Sequence, residues 1–205
     1  MLKLGLIDTG STPADDWQAA ADRLADVTIV DADEADAVLV AGVDRANQAV
    51  ADGRHVLLLP GSVAESTEAA RLETPETTVV MLAATGRFEP SIQEVAAVNS
   101  SGTLGPPGVL RIHRWMPGGQ QVRRSDLADL LDLANWLFGT LPDDVYAVRR
   151  GESDSYIHVH LGFPGGGMTL IDVATTLPDG EDYYCLSLIG GDGSAYVDDH
   201  HNMHL

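Results

Sequence analysis

Cysteine, lysine and positive charge are all scarce in this chain. Cys185 is the only cysteine among 205 residues, so no internal disulfide forms and no cysteine-rich zinc site exists. Lys3 is the only lysine, which leaves a single candidate for Schiff-base chemistry. Twelve basic residues face 31 acidic ones, a formal net charge of −19. Such a field repels phosphate and argues against a nucleic-acid partner. Long apolar runs are missing too. None approaches the roughly 20 residues a membrane span needs, and Leu2 to Ile7 is too short for the core of a signal peptide. A cytoplasmic protein without a membrane partner is therefore expected.

What remains is globular. Hydrophobic residues make up 44% and charged residues 21% of the chain, enough to build the core of one domain or two small ones. The first half alternates short apolar runs with helical stretches. Strands are expected at Leu2–Ile7, Val27–Val30, Ala37–Val43, His55–Leu59 and Thr77–Ala83. Helices are expected at Ala14–Leu24, Ala46–Ala51 and Glu65–Leu72. Continuous apolar strands between helices indicate a parallel sheet covered on both faces.

The character changes after Thr85. A helix at Pro90–Asn99 leads through the Gly/Pro-rich link Gly102–Gly108 to a strand, Val109–Trp115. A helix follows at Leu127–Phe138. The rest is strand-rich: Val145–Arg149, Tyr156–Phe163, Met168–Ala174, Tyr183–Ile189 and Ala195–Asp198. Glycine turns at 164–167 and 190–193 suit hairpins. The expected fold is α/β then α+β. Residues 1–86 form a reduced Rossmann-like parallel-sheet unit, and residues 87–205 a mostly antiparallel sheet with helices on one face.

Five segments, in order, sharpen this. They are Gly53-Arg54-His55-Val56-Leu57-Leu58-Leu59-Pro60; Arg87-Phe88-Glu89-Pro90; Ser101-Gly102-Thr103-Leu104-Gly105-Pro106-Pro107; Leu131 to Gly139 followed by Val145-Tyr146-Ala147; and Ile189-Gly190-Gly191-Asp192-Gly193. Together they resemble the motifs of Gfo/Idh/MocA-type NAD(P)-dependent oxidoreductases. The resemblance covers most of the chain, which looks like a shortened and degenerate member. It implies a dinucleotide unit, a sheet domain that assembles through its uncovered face, and hydride transfer to or from a sugar-like substrate.

The departures fall on the residues that do the chemistry. A dinucleotide site needs a glycine-rich turn after the first strand, so that the backbone can approach the pyrophosphate. Here the turn reads Asp8-Thr9-Gly10-Ser11-Thr12-Pro13, with one fitting glycine and a carboxylate near the phosphate seat. Thr9, Gly10 and Ser11, with Asp31 for the ribose, are the candidate cofactor residues of a degraded site. The resemblance places a glutamate and a catalytic lysine at Leu58 and Leu59. It places the acid/base histidine at Asp129, beside Asp126. Asp126 and Asp129 are thus the candidate catalytic residues, an aspartate serving as base only where burial raises its pKa. Arg87 is the candidate substrate anchor.

The leading expectation is a protein that has lost hydride transfer, binds no cofactor, and acts as a binding or partner protein. It would form a homo-oligomer through the C-terminal sheet, or assemble there with an active relative. One alternative is an active NAD(P)-dependent enzyme on a sugar-like substrate, with Asp129 in place of the histidine. Another is a lyase or hydrolase using Asp126 and Asp129, or a metal on His158 and His160. Those histidines share a strand face with Tyr156, since side chains alternate. Arg111, His113 and Trp115 share a face of another strand, and Asp172 lies on a third.

Overall fold

The computed structural model describes residues 1–7, 14–59, 66–119, 121–150 and 155–198. The chain divides into two compact units, Met1–Ala83 and Ala84–Leu205.

The first unit is a parallel sheet of β1 (Leu2–Ile7), β2 (Val27–Val30), β3 (Ala37–Val40), β4 (His55–Leu58) and β5 (Val80–Leu82), in the order β2-β1-β3-β4-β5. Its helices are α1 (Ala14–Ala21), α2 (Val43–Ala51) and α3 (Ser66–Ala69). The core joins Val38, Val40, Val56 and Leu58 of the central strands to Ala46, Ala49 and Val50 of α2. Small residues on one stripe of α2 let the helix lie close to the sheet.

The reduction of this unit has a definite form. A doubly wound dinucleotide sheet runs 3-2-1-4-5-6. Here β2 is an edge strand, and among the described residues no strand flanks it. The chain passes from β2 to β3 in six residues around a 3-10 turn, Ala32–Glu34. Gly5 at the centre of β1 makes room for that link. A Cβ at Gly5 would sit 2.8 Å from the Cα of Ala32 and 3.0 Å from the Cβ of Ala35.

Several expected elements are shorter than their patterns; the third strand stops at Val40, and Val43 instead starts α2 after Gly42. The first helix stops at Ala21 because residues 22–24 close as a turn, with the Leu24 N–H donating to the Ala21 carbonyl at 2.9 Å. Beyond Ala69 the chain makes i to i−3 bonds rather than helical ones, Arg71 to Glu68 and Leu72 to Ala69. The last strand of the unit loses its start to a turn, Thr78 donating to Pro75. Val79 then donates to His55 Nδ1 at 2.9 Å.

The second unit begins with a 3-10 turn, Thr85–Phe88, and α4 (Pro90–Ser100). Pro90 suits the first helical position, where no N–H partner is needed. Then come β6 (Pro107–Pro117), α5 (Arg124–Phe138), β7 (Asp144–Arg150), β8 (Tyr156–Gly162), β9 (Met168–Leu177), β10 (Tyr183–Gly190) and β11 (Ser194–Asp198). The sheet order is β11-β10-β6-β9-β8-β7. It is mostly antiparallel, as expected; the central β6–β9 pair is parallel. Helices α4 and α5 cover one face. Ile92, Val95, Leu130, Leu133, Ala134 and Leu137 pack there on Leu110, Ile112, Ile171 and Leu186. Gly139 ends α5 in the left-handed region at φ 68°, where glycine pays no Cβ penalty.

Two glycine motifs that are far apart in sequence meet here. The Gly191 N–H donates to the Pro106 carbonyl at 3.2 Å, and that of Asp192 to Leu104 at 2.9 Å. The β10–β11 turn thus docks on the link that feeds β6. Both sides need glycine: Gly105 has φ +70°, and a Cβ on it would lie 2.6 Å from the Asp192 carboxylate.

Candidate functional site

Within the second unit, a cleft of about 640 Å³ opens among the start of α4, the first turns of α5 and strands β6 and β10. That volume suits a small-molecule ligand. Met116, Leu130, Leu133 and Tyr184 supply apolar surface; Thr85 and Ser91 supply hydroxyls; Glu89, Asp126, Asp129, Arg114 and Arg123 supply charge.

The charges are ordered by α5. Asp126, Asp129 and Asp132 recur every third residue, a spacing that puts neighbours side by side on a helix. Asp126 is closed by Arg123, whose Nη2 donates at 2.8 Å and Nε at 3.2 Å. Asp126 also accepts the Arg123 N–H at 3.0 Å, capping the helix. Asp132 is closed by Arg87, whose Nε donates at 2.6 Å and whose Nη2 reaches the second oxygen. The Arg87 guanidinium also lies 5.6 Å from the Trp136 ring centre, a cation–π contact. Asp129, between them, has no hydrogen bond or ion pair among the described residues. Burial raises its pKa above the ordinary aspartate value, and the charges of Asp132 and Asp126 add to the rise.

The two expected catalytic carboxylates therefore differ. Asp126 is a cap tied to an arginine, and Asp129 lines the cleft without a partner among the described residues. Arg87, expected as a substrate anchor, spends its guanidinium on Asp132 and Trp136, where it positions the 3-10 turn against α5. The sequence reading does not anticipate this clamp on Asp132 and Trp136. The signal was present in the sequence: an acid three residues from Asp129 and an aromatic four residues further on share one side of a helix.

The sheet face away from α4 and α5 carries the expected polar set, and the faces of the three strands coincide. Register aligns Cys185, His113, Asp172 and His158 in one row across β10, β6, β9 and β8. Asp172 anchors the row. It accepts from Tyr156 Oη at 2.8 Å and bonds His158 Nδ1 at 2.8 Å, with His113 Nδ1 at 3.4 Å from its other oxygen. His160 lies one row away, beside Leu170 and Tyr146. Among the described residues, no three His, Cys, Asp or Glu side chains converge on a metal position.

Burial works against the charge on Asp172, but the bonds from His158 and Tyr156 and the two nearby imidazoles outweigh it. The carboxyl is held below its ordinary value. A depressed aspartate stabilises the fold fully above its unfolded pKa of about 3.9, and loses that contribution as pH falls through the lower folded value. The wild-type protein is expected to lose stability in that window, and Asp172→Asn to flatten the loss. Urea unfolding midpoints from neutral pH to about pH 2 check this; parallel slopes in both proteins would contradict it.

Of the cofactor candidates, Thr9, Gly10 and Ser11 lie outside the described residues. Asp31 opens the short β2–β3 link, exposed and without a side-chain capping hydrogen bond. Leu58, at the glutamate position, is a fully buried core residue, and Leu59 follows it half-buried. Neither has a polar group to offer a nicotinamide or its substrate. At these two positions the side chains present do not fit a nicotinamide.

A reduced parallel dinucleotide-type unit joined to a helix-covered sheet unit defines a dehydrogenase-like architecture. It is the fold of Gfo/Idh/MocA-type dehydrogenases, in shortened form. No family model matches the chain, and no curated protein matches it. Solved structures do. A probable dehydrogenase from Thermotoga maritima superposes with a TM-score of 0.81 at 18% identity, over 100% of this chain and 78% of that one. GenD2 from gentamicin A biosynthesis, solved with NAD, gives 0.77 at 18%, over 100% and 74%. The WlbA dehydrogenase from Bordetella pertussis, solved with NADH and UDP-GlcNAcA, gives 0.77 at 15%, over 100% and 82%. At these identities the likeness is one of fold, and function rests on the sites.

Proposed function

We propose that this protein is a Gfo/Idh/MocA-type chain that has given up hydride transfer. It acts as a binding or partner protein, with its cleft retained for a small ligand and its C-terminal sheet as the assembly surface. The observation that carries this reading is Leu58. Where the resembled enzymes place a glutamate and then the lysine that serves nicotinamide and substrate, this chain has Leu58, buried in the core of the parallel sheet, and Leu59. The short β2–β3 link and Asp129 in the histidine's place support the same reading. A homo-oligomer would pair the face bearing Trp115, Tyr156 and Asp172.

A second reading is favoured by the neighbours solved with NAD and NADH. In it the chain is an NAD(P)-dependent oxidoreductase in which Asp129, its pKa raised, takes the proton.

Titration of the full chain with NADH and NADPH, followed by nucleotide fluorescence and calorimetry, separates the two. The expected result is no saturable binding at micromolar nucleotide. Micromolar binding by either nucleotide sinks the proposal and makes Asp129→Asn the next test of turnover. Sedimentation velocity on the same sample reads the assembly; a monomer at all concentrations removes the homo-oligomer.

A further inference from the structure

The three aspartates of α5 form a ladder with one unmatched rung. Asp126 has Arg123 and Asp132 has Arg87, each arginine giving its carboxylate two hydrogen bonds. Asp129 stands between two satisfied pairs and lines a cleft. The other arginine of the cleft, Arg114, is bidentate to Asp182 and so is also spent. Glu89, at the N-cap of α4, adds a further carboxylate to the lining. Among the described residues, an anionic ligand entering here would meet no uncommitted cation and at least one uncommitted carboxylate.

Such a cleft selects by charge. A half-buried carboxylate without a partner is costly, and a cation that reaches it recovers that cost. The flanking pairs show how the site is satisfied elsewhere on the same helix face: by a donor with a positive charge. The aromatic ring of Tyr184 and the side chains of Met116 and Leu130 offer apolar surface for a carbon skeleton, and Thr85 and Ser91 offer hydroxyl partners.

We infer that the cleft binds a cationic small molecule of sugar-like size, a hydroxylated amine, whose ammonium completes the Asp129 rung. This deepens the small-ligand part of the proposed function and rests on it. It sets the cleft apart from that of the WlbA dehydrogenase, whose structure holds the anionic UDP-GlcNAcA. Asp129 is then a binding anchor for charge rather than a base for a hydride reaction.

The test uses three probes on one six-carbon skeleton: glucamine, sorbitol and gluconate, carrying +1, 0 and −1. Binding to the full-length chain is followed by amide chemical shifts of an isotopically labelled sample. Glucamine is expected to bind about tenfold tighter than sorbitol, the scale of one charge-assisted hydrogen bond, with gluconate weaker still. Asp129→Asn should erase the preference for glucamine and leave sorbitol unchanged. Asp129→Glu, which keeps the charge, should retain part of it, and this separates loss of the anchor from loss of the fold. Added salt should narrow the gap. Gluconate binding as tightly as glucamine overturns the inference. So does an Asp129→Asn protein that still prefers glucamine, or a wild-type protein that binds none of the three. These outcomes are independent of the nucleotide titration. NADH binding with an intact glucamine preference would fail the loss of hydride transfer alone, and the converse would fail the charge assignment alone.

Discussion

Gly5→Val is expected to unfold the parallel-sheet unit under conditions where the wild-type unit is stable, and to leave the α+β unit folded. Adding a side chain to a strand glycine ordinarily helps, because glycine loses the most entropy on folding and packs nothing. Here the sign reverses. A first carbon at Gly5 would stand 2.8 Å from the backbone of Ala32, and a backbone atom cannot rotate away as a side chain can. Two routes remain. Either β1 moves out of register with β2 and β3, or the six-residue link lifts off the sheet. Each exposes part of a core built from few residues, at a cost of about 3 kcal/mol or more, the upper end for overpacking. Hydrogen exchange read by mass spectrometry resolves the two units in one experiment. Fast exchange in β1 to β4 with protection retained in β6 to β10 is the expected pattern. Unchanged protection in β1 would show that the link has slack.

Gly190→Ala is expected to be as damaging to the second unit. Its Cβ would fall far inside the van der Waals contact distance to the Leu104 carbonyl oxygen, again a backbone atom. The two backbone bonds that hold the β10–β11 turn to Leu104 and Pro106 would stretch with it. The cost is again about 3 kcal/mol or more. Because β10 contributes Tyr184 to the cleft, ligand binding should weaken even at temperatures where the chain stays folded. Thermal unfolding followed by tryptophan fluorescence, with glucamine binding on the same sample, measures both. A midpoint within a degree or so of wild type would mean that the link moves freely, contrary to its packing.

The contrast between these glycines shows what the sequence makes legible. The Gly190 turn and the Leu104-Gly105 link stand out as motifs, because turns carry their chemistry locally. Gly5 carries no signal: it sits inside an apolar run, and its role depends on a link that is adjacent only in space. The faces of single strands are readable from alternation, which puts His158 with His160 and His113 with Trp115, but the row that joins His113, Asp172 and His158 needs the pairing. Pairing is not readable in this way. Nothing in the apolar pattern of β6 states that it runs parallel to β9, since hydrophobic alternation is the same for either direction. The cleft was legible in part. Asp126 and Asp129 were visible as acids on a helix, but their difference was not. It comes from which arginines arrive, and Arg87 comes from a turn 45 residues upstream of Asp132.

The parallel pairing of β6 with β9 has a consequence for how the chain reaches its fold. Ile112 and Ile171 face each other about 60 residues apart in sequence. On its other side β6 pairs with β10, which is later still. A ribosome therefore releases an eleven-residue strand long before either of its neighbours exists, whereas the strands that β1 needs follow within a few dozen residues. Contacts so distant in sequence must first close large loops, and folding slows accordingly. During that interval the apolar face of β6 can rest only on the helices made around it, α4 before and α5 after. These helices cover the finished sheet, and they are also the first apolar partners that chain order offers to β6.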